Sequence, residues 1–163
     1  MHPYRSYQIH FCWGGFSMRF ERCFNALFIP RHLLQQLPNK EFNPESFYTF
    51  MQVALQSPTQ LLYLLMNDEN VIKGFLWCEI NLLEKVMFIN ILSVDKELWG
   101  AGEMVKFASD FLKELFDKLE LNKALWITDR PALFENFGFK RSKEVLLEYT
   151  GKEEKPWAEQ VEV

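Results

Sequence analysis

Residues 94–102 read Val-Asp-Lys-Glu-Leu-Trp-Gly-Ala-Gly, and this stretch decides the fold. An apolar run ends at Val94, a loop with two glycines follows, and a long amphipathic pattern begins at Glu103. The order predicts a strand, a loop and then a helix whose first N–H groups have no partner inside the helix. Those free donors and the positive end of the helix dipole suit an anion.

Upstream of this stretch, the pattern predicts a strand, two helical regions and a three-stranded meander. Residues 8–13 favour a strand, while apolar side chains recur at helical spacing over residues 17–36, with Pro30 dividing two helical pieces. Asn43 and Pro44 are typical of a helix start, with Asn43 as the cap, and that helix ends near residue 56. The apolar runs joined by short polar turns predict antiparallel strands at residues 60–66, 71–83 and 86–94.

Downstream, residues 103–121 carry the clearest helical pattern, with one apolar stripe and one charged face. Residues 124–128 are predicted as a buried strand, residues 130–136 as a short helix capped by Asp129, and residues 139–149 as a final strand. The order predicts an α/β (α+β) fold with a mixed, mostly antiparallel sheet and helices on both faces. We expect a single domain over residues 1–150 and a charged C-terminal tail over residues 151–163.

Composition excludes several classes of protein. Of the 163 residues, 48% are hydrophobic and 16 are phenylalanine, which argues against disorder. A net charge of −4 gives no basic field for nucleic acid. No apolar run is long and uncharged enough to span a bilayer, and the first residues lack the apolar core of a signal peptide. The three cysteines have no metal-ligand spacing, so we expect reduced core thiols in a cytoplasmic protein.

Three segments resemble the GCN5-related N-acetyltransferase (GNAT) superfamily. Residues 91–94, Ile-Leu-Ser-Val, look like its central strand, and residues 97–102 look like its loop Gln/Arg-x-x-Gly-x-Gly/Ala. Residues 129–139 look like its late signature Asn-x-x-Ala-x-x-Tyr-x-x-x-Gly-Phe. The resemblance implies that acetyl-CoA binds here, with the pantetheine arm on the backbone of Leu92 and Val94. It implies that the pyrophosphate lies on the amides of the loop and the helix start, which are those of Leu98, Trp99, Gly100, Ala101, Gly102 and Glu103, and that Asp129 belongs to the same site.

The departures from the family pattern concern chemistry. Glu97 replaces a glutamine or arginine and places a carboxylate beside the expected pyrophosphate, a repulsion that Lys96 partly offsets. Phe134 replaces the tyrosine that protonates the leaving thiolate, and Asp129 replaces an asparagine. The strand positions that often hold a base are Phe88 and Asn90, and neither side chain has a pKa suited to that role.

The candidate catalytic residues are therefore Asn90 and Glu79. Asn90 is either a hydrogen-bonding residue that faces the acceptor or a buried polar group satisfied by the backbone. Glu79 is either a base or water positioner, or a paired or edge-exposed carboxylate. His10 and Cys12 share a face of the first strand, but the sequence shows nothing that would activate the thiol. Trp99 either covers the groove or marks a partner surface.

Two functions remain open. The first is an acetyl-CoA-dependent N-acyltransferase that acts on a small amine or a peptide terminus, by positioning and a water relay rather than a dedicated base. The second is a protein that kept the fold, lost the chemistry and binds a protein partner. An overall similarity to small proteins of tailed-phage head assembly, which no particular motif carries, belongs to this second hypothesis. No metal, nucleic-acid or membrane function is expected.

Overall fold

A computed structural model describes residues 11–13, 16–99, 102–128 and 130–151 of the chain. In that part, six strands form one sheet in chain order, and each neighbouring pair is antiparallel except the last, which is parallel. The strands are β1 (Phe11–Trp13), β2 (Phe16–Cys23), β3 (Gln60–Asn67), β4 (Ile72–Asn81), β5 (Val86–Val94) and β6 (Lys123–Trp126). The α-helices are α1 (Arg31–Gln35), α2 (Pro44–Ala54), α3 (Gly102–Lys118) and α4 (Pro131–Glu135), and short 3₁₀ turns span Ala26–Phe28 and Lys96–Leu98.

Helices cover both faces of the sheet and create two apolar cores. Helix α3 packs on one face, where Phe107, Phe111 and Leu115 are buried against β2 to β5. Helices α1 and α2 cover the other face, and α2 buries Phe47 and Met51 there. Because β3 is covered on both sides, its residues 61–65 are all buried. The predicted α+β architecture, with a mostly antiparallel sheet between helices, is confirmed.

Local signals explain where the helices begin. The side chain of Asn43 accepts a hydrogen bond from the amide of Glu45 at 2.9 Å, and Pro44 fills the first helical position, as predicted for α2. The apolar stripe predicted for α3 is the buried side of that helix. The predicted strands of the meander and the strand after α3 form as β3, β4, β5 and β6. The prediction that the last of these is buried is wrong, because Lys123 is exposed and the other three residues of β6 are only half-buried.

The helical prediction for residues 17–23 is wrong, because this segment is strand β2. Residues 18–23 pair with β3, and Met18 and Phe20, two residues apart, are both buried against α3. The apolar residues at positions 20, 24 and 27 coincide with helical spacing, but Phe24 and Leu27 are exposed and belong to no helical stripe. Within residues 24–36, the helical structure is limited to the turn Ala26–Phe28 and to α1, with Pro30 directly before α1.

The final predicted strand is also wrong in the part of the chain described. Residues 139–150 form neither strand nor helix, and their apolar side chains from Val145 to Tyr149 are exposed. The start of α4 differs from the prediction as well: Arg130 occupies the cap position without a side-chain capping bond, and Asp129 lies outside the described residues.

The two cysteines whose side chains are described are free and buried. Burial raises the pKa of the thiols of Cys23 and Cys78, so both stay protonated and unreactive. His10 and the side chain of Cys12 lie outside the described residues. Among the helices described, none has the length and hydropathy needed to cross a bilayer.

Candidate functional site

The candidate site lies where β5 runs on past the end of β6. Strand β6 pairs only with residues 86–89 of β5, so residues 90–94 extend beyond it. A cavity of about 270 Å³ opens there. Its walls come from the end of β5, the following loop, the first turns of α3, the end of β6, α4 and the segment after α1. Four of the residues predicted for cofactor binding line this cavity, namely Leu92, Val94, Leu98 and Trp99.

The carbonyl of Val94 already has two donors from the protein. The Gln36 amide Nε2 donates to it at 2.6 Å, and the Trp99 indole Nε1 donates to it at 3.0 Å. Gln36 also donates to Ser93 Oγ at 2.7 Å, and that hydroxyl donates to the carbonyl of Leu33 at 2.8 Å. A ligand amide that needs the Val94 carbonyl must therefore displace or share with one of these side chains.

The loop offers fewer free amides than predicted. The Leu98 amide donates to the Asp95 carbonyl at 2.9 Å, and the Trp99 amide donates to the Lys96 carbonyl at 3.1 Å. These two N–H groups close the 3₁₀ turn, so a pyrophosphate would have to compete with the turn for them; their role in binding it stays a prediction. Of the remaining predicted amides, Gly102 and Glu103 lie exposed in the first turn of α3, whereas Gly100 and Ala101 lie outside the described residues.

The charge of Glu97 is offset by a residue that the sequence did not indicate. Lys73 Nζ donates to Glu97 Oε1 at 2.6 Å. This hydrogen bond raises the pKa of Lys73, so the ammonium group stays charged at neutral pH. Lys96, the predicted partner, instead lies 5.9 Å from the centre of the Trp99 ring, and the Arg130 guanidinium lies 5.8 Å from the same ring. Two cationic side chains, those of Lys96 and Arg130, therefore lie near the Trp99 ring.

The predicted catalytic residues do not line the cavity. Glu79 pairs with Phe88 in the sheet, whereas Gly74 pairs with Val94, and the two β4 residues lie five positions apart, which is about 17 Å along a strand. Asn90 lies at an irregularity in the pairing of β4 with β5, and its side chain is exposed. The alternative that Asn90 is a buried, backbone-satisfied group is therefore wrong.

Among the described residues that line the cavity, no side chain is suited to acid–base catalysis. Phe134, in the position of the family's tyrosine, is buried and packs on Trp126 with ring centres 4.1 Å apart. The described lining residues include no carboxylate, histidine, cysteine, lysine or tyrosine. In the part of the chain described, no group of three or more His, Cys, Asp and Glu side chains could hold a metal ion.

Sequence reasoning missed Gln36 and Arg130 as site residues. Gln36 reaches the cavity from 58 residues away, and no local pattern predicts such a contact. Arg130 was predicted as the first residue of a short helix, without a role in the site. Its place inside the family-like segment 129–139 is the signal that would have identified it.

Comparisons with known proteins bear on the fold. No protein-family model matches the chain, and no curated protein matches its sequence. A chimera of the spermidine N-acetyltransferase SpeG from Vibrio cholerae and hSSAT has a similar structure, with a TM-score of 0.66 and 16% identity over 82% of this chain and 86% of that chain. The IAA acetyltransferase of Bacillus cereus gives a TM-score of 0.58 and 21% identity over 76% and 77% of the two chains.

A third similar structure was solved with a ligand. The aminoglycoside N-acetyltransferase AAC(6')-Iy, in complex with CoA, gives a TM-score of 0.63 and 15% identity over 83% of this chain and 96% of that chain. Identities this low show the shared fold alone. The chain therefore has the fold of the GCN5-related N-acetyltransferases, in agreement with the resemblance of its three sequence segments.

Proposed function

We propose that the protein is an N-acyltransferase of the GNAT type that binds an acyl-CoA in the cavity at the end of β5. One observation carries the proposal: the parting of β5 from β6 opens an apolar cavity directly beside the first turn of α3. Similar structures include a spermidine and an aminoglycoside N-acetyltransferase. The proposed acceptor is accordingly an amine, either a small molecule or a peptide terminus.

The residues around the cavity fit such a ligand. Leu92, Met104 and Leu133 give an apolar lining that suits a pantetheine chain. Lys96 and Arg130 flank the rim where phosphates would lie, next to the exposed start of α3. The ion pair of Glu97 with Lys73 removes much of the repulsion expected from that carboxylate.

An acyl-CoA supplies an acyl group activated as a thioester. The amine nitrogen attacks the thioester carbonyl carbon, so that a carbon–nitrogen bond forms and the carbon–sulfur bond breaks. The chain contributes positioning, because the apolar walls hold the reactants together and exclude water. No described lining residue can take the proton of the amine or give one to the thiolate, so both protons pass through water. The proposal predicts a rate of acyl transfer that rises with pH until the acceptor amine is entirely in its neutral form.

A second function is favoured by the hydrogen bonds within the site. The Val94 carbonyl and the amides of Leu98 and Trp99 are already paired within the chain. A protein that retained the fold and binds a protein partner would need none of these groups for a cofactor. The alternative function is therefore that of a protein with this fold that binds a protein partner and catalyses no reaction.

Calorimetric titration of acetyl-CoA and CoA into the protein at low salt distinguishes the two functions. We expect micromolar binding, weakened about tenfold or more in Arg130→Glu, because that change reverses a charge at the rim. Lys143→Glu is the matched control: it makes the same change of charge at an exposed position beside Glu144 and leaves the affinity unchanged. An absence of heat at millimolar ligand would overturn the enzyme proposal and leave the binding protein.

A further inference from the structure

A second cleft lies toward the end of α3 that is farther from the cavity. It has a volume of about 640 Å³ and lies between the C-terminal half of α3, the start of β6 and the segment that follows α4. The cavity meets α3 at Met104 and Ala108, whereas this cleft meets it at Leu112 and Phe116. The two sites share none of their described lining residues, so we treat the cleft as a site of its own.

The walls of the cleft are strongly cationic. Among the described residues, five cationic side chains and one carboxylate line it, namely Lys113, Lys123, Lys140, Arg141, Lys143 and Glu144. Lys123 pairs with Glu144, and Arg141 pairs with Glu135. The ion pairs of the described residues include none of Lys113, Lys140 or Lys143. In a chain of net charge −4, this cleft is a local reversal of charge that favours an anionic occupant.

The floor of the cleft is apolar. Met87 and Leu112, which are both buried, line it together with Phe116. A Cβ on Gly138 would lie 3.2 Å from Lys113 Nζ, so the Lys113 ammonium group lies beside the segment after α4, across the cleft from β6. A site with apolar walls and several fixed cations suits a ligand that combines carboxylates with apolar side chains.

The chain itself contains a segment of this composition. Residues 152–163 read Lys-Glu-Glu-Lys-Pro-Trp-Ala-Glu-Gln-Val-Glu-Val and follow the last described residue, and we name them the tail segment. It carries four glutamates against two lysines, and its apolar side chains include Trp157, Val161 and Val163. Its net charge is therefore opposite to that of the cleft, and its apolar side chains match the floor.

The tail segment is long enough to reach the cleft whatever path residues 145–151 take. Glu144 lines the cleft, and the seven residues that follow it cover at most about 25 Å. The eight residues 152–159 span up to about 29 Å when extended, so Glu159 and the residues after it can return to the cleft. The tether also holds the tail segment at an effective concentration on the order of millimolar.

We propose that the tail segment binds in the cleft of its own chain, with Glu159 and Glu162 paired to the cations and Val161 on the apolar floor. Bound there, it lies beside β6, the last strand of the sheet, whose outer edge is unpaired within the described residues. The tail segment then shields that edge from pairing with other chains. This inference is independent of the proposed cofactor.

NMR relaxation of the full chain tests the docking. We expect backbone order parameters of about 0.7 or more for residues 159–162 in the wild type. They should fall below about 0.6 in the double variant Lys140→Glu and Lys143→Glu, because the carboxylates of the tail segment then meet like charges. Both lysines are exposed, so the fold should survive, which circular dichroism checks.

The matched control is the double variant Lys40→Glu and Lys106→Glu. It makes the same change of net charge at two exposed positions outside the lining of the cleft, and it should leave the tail segment ordered. Order parameters below about 0.6 for the tail segment of the wild type would overturn the proposal. So would a tail segment that stays ordered when Lys140 and Lys143 are reversed in charge.

Charge reversal on the tail segment tests the pairing itself. Glu159→Lys with Glu162→Lys should release the tail segment, and combining this pair with Lys140→Glu and Lys143→Glu should restore its order, because opposite charges then face each other again. A combined variant without restored order would contradict the pairing. Order that increases with protein concentration would place the tail segment in the cleft of another copy and would also overturn the proposal.

Discussion

The two ends of the sheet differ in how many of their polar and apolar groups are paired or buried by the chain itself. At the cavity end, Gln36 and Trp99 pair with the Val94 carbonyl, and Leu98 is only 2% exposed. At the opposite end, where β4 turns back into β5, Leu83 is 93% exposed. The Val94 carbonyl at the cavity end is therefore paired within the chain, whereas the β4–β5 turn leaves apolar side chains in water. A ligand that uses the Val94 carbonyl would compete with Gln36 and Trp99 for it.

The largest expected difference is between two leucine truncations. Leu98→Ala should lower the free energy of unfolding by about 2–4 kcal/mol, because the side chain is buried beneath the cavity. Leu83→Ala should change it by less than about 0.5 kcal/mol in dilute protein, since the side chain is exposed. Urea unfolding at low concentration measures both, and equal effects would remove the distinction between the two ends.

A smaller effect is expected at a glycine beside the cavity. A Cβ on Gly74 would lie 2.7 Å from the Ser93 carbonyl oxygen, so Gly74→Ala should force β4 and β5 apart and cost about 1–3 kcal/mol. Gly102→Ala is the matched control, because a Cβ there meets nothing within 4 Å. We expect that variant to lie within about 1 kcal/mol of the wild type. If Gly74→Ala unfolds at the same urea concentration as the wild type, β4 and β5 leave room for a Cβ at this position.

Trp99→Phe tests whether a cofactor competes with the indole for the Val94 carbonyl. The variant removes the indole donor from the Val94 carbonyl, at a cost of less than about 1 kcal/mol of stability, because the side chain is 46% exposed. If a cofactor uses that carbonyl, its affinity should rise about three- to tenfold in calorimetry. Trp77→Phe is the control, since its indole donates to Gln60 Oε1 and not to the cavity. A weaker affinity in Trp99→Phe would make the indole part of the binding surface instead.

The smallest effect concerns pH at the start of β6. Hydrogen bonds from Lys123 and Ser142 lower the pKa of Glu144. The contact with Lys123 therefore persists above the ordinary glutamate pKa and is lost as pH falls through the lowered value. An NMR titration should show the Glu144 carboxyl and the Val145 methyl signals changing together in that acidic range. In Lys123→Ala the midpoint should move up toward the ordinary value, and an unchanged midpoint would show that the ion pair does not form in solution.

The sequence predicted the elements with strong periodicity and missed contacts between distant residues. Strands β3 to β5 and helix α3 follow from apolar patterns and polar turns, and the loop after Val94 located the cavity. Gln36 was missed because its contact with Val94 depends on how α1 packs on the sheet. The apolar spacing of residues 139–149 predicted a strand, but a strand needs a neighbour, and these residues pair with none in the part of the chain described. A single sequence does not say whether the same chain supplies one.

The long-range contacts of Gln36 also have a consequence for the order of folding. The β4–β5 turn closes locally, since the Asn81 side chain accepts bonds from the amides of Leu83 and Glu84. The cavity end closes only when residues 36 and 94 meet, across a separation of 58 residues. Loop closure of that length is slow, so we expect the hairpin in the transition state and the cavity after it. Substitution of Gln36 should then speed unfolding and leave the refolding rate nearly unchanged.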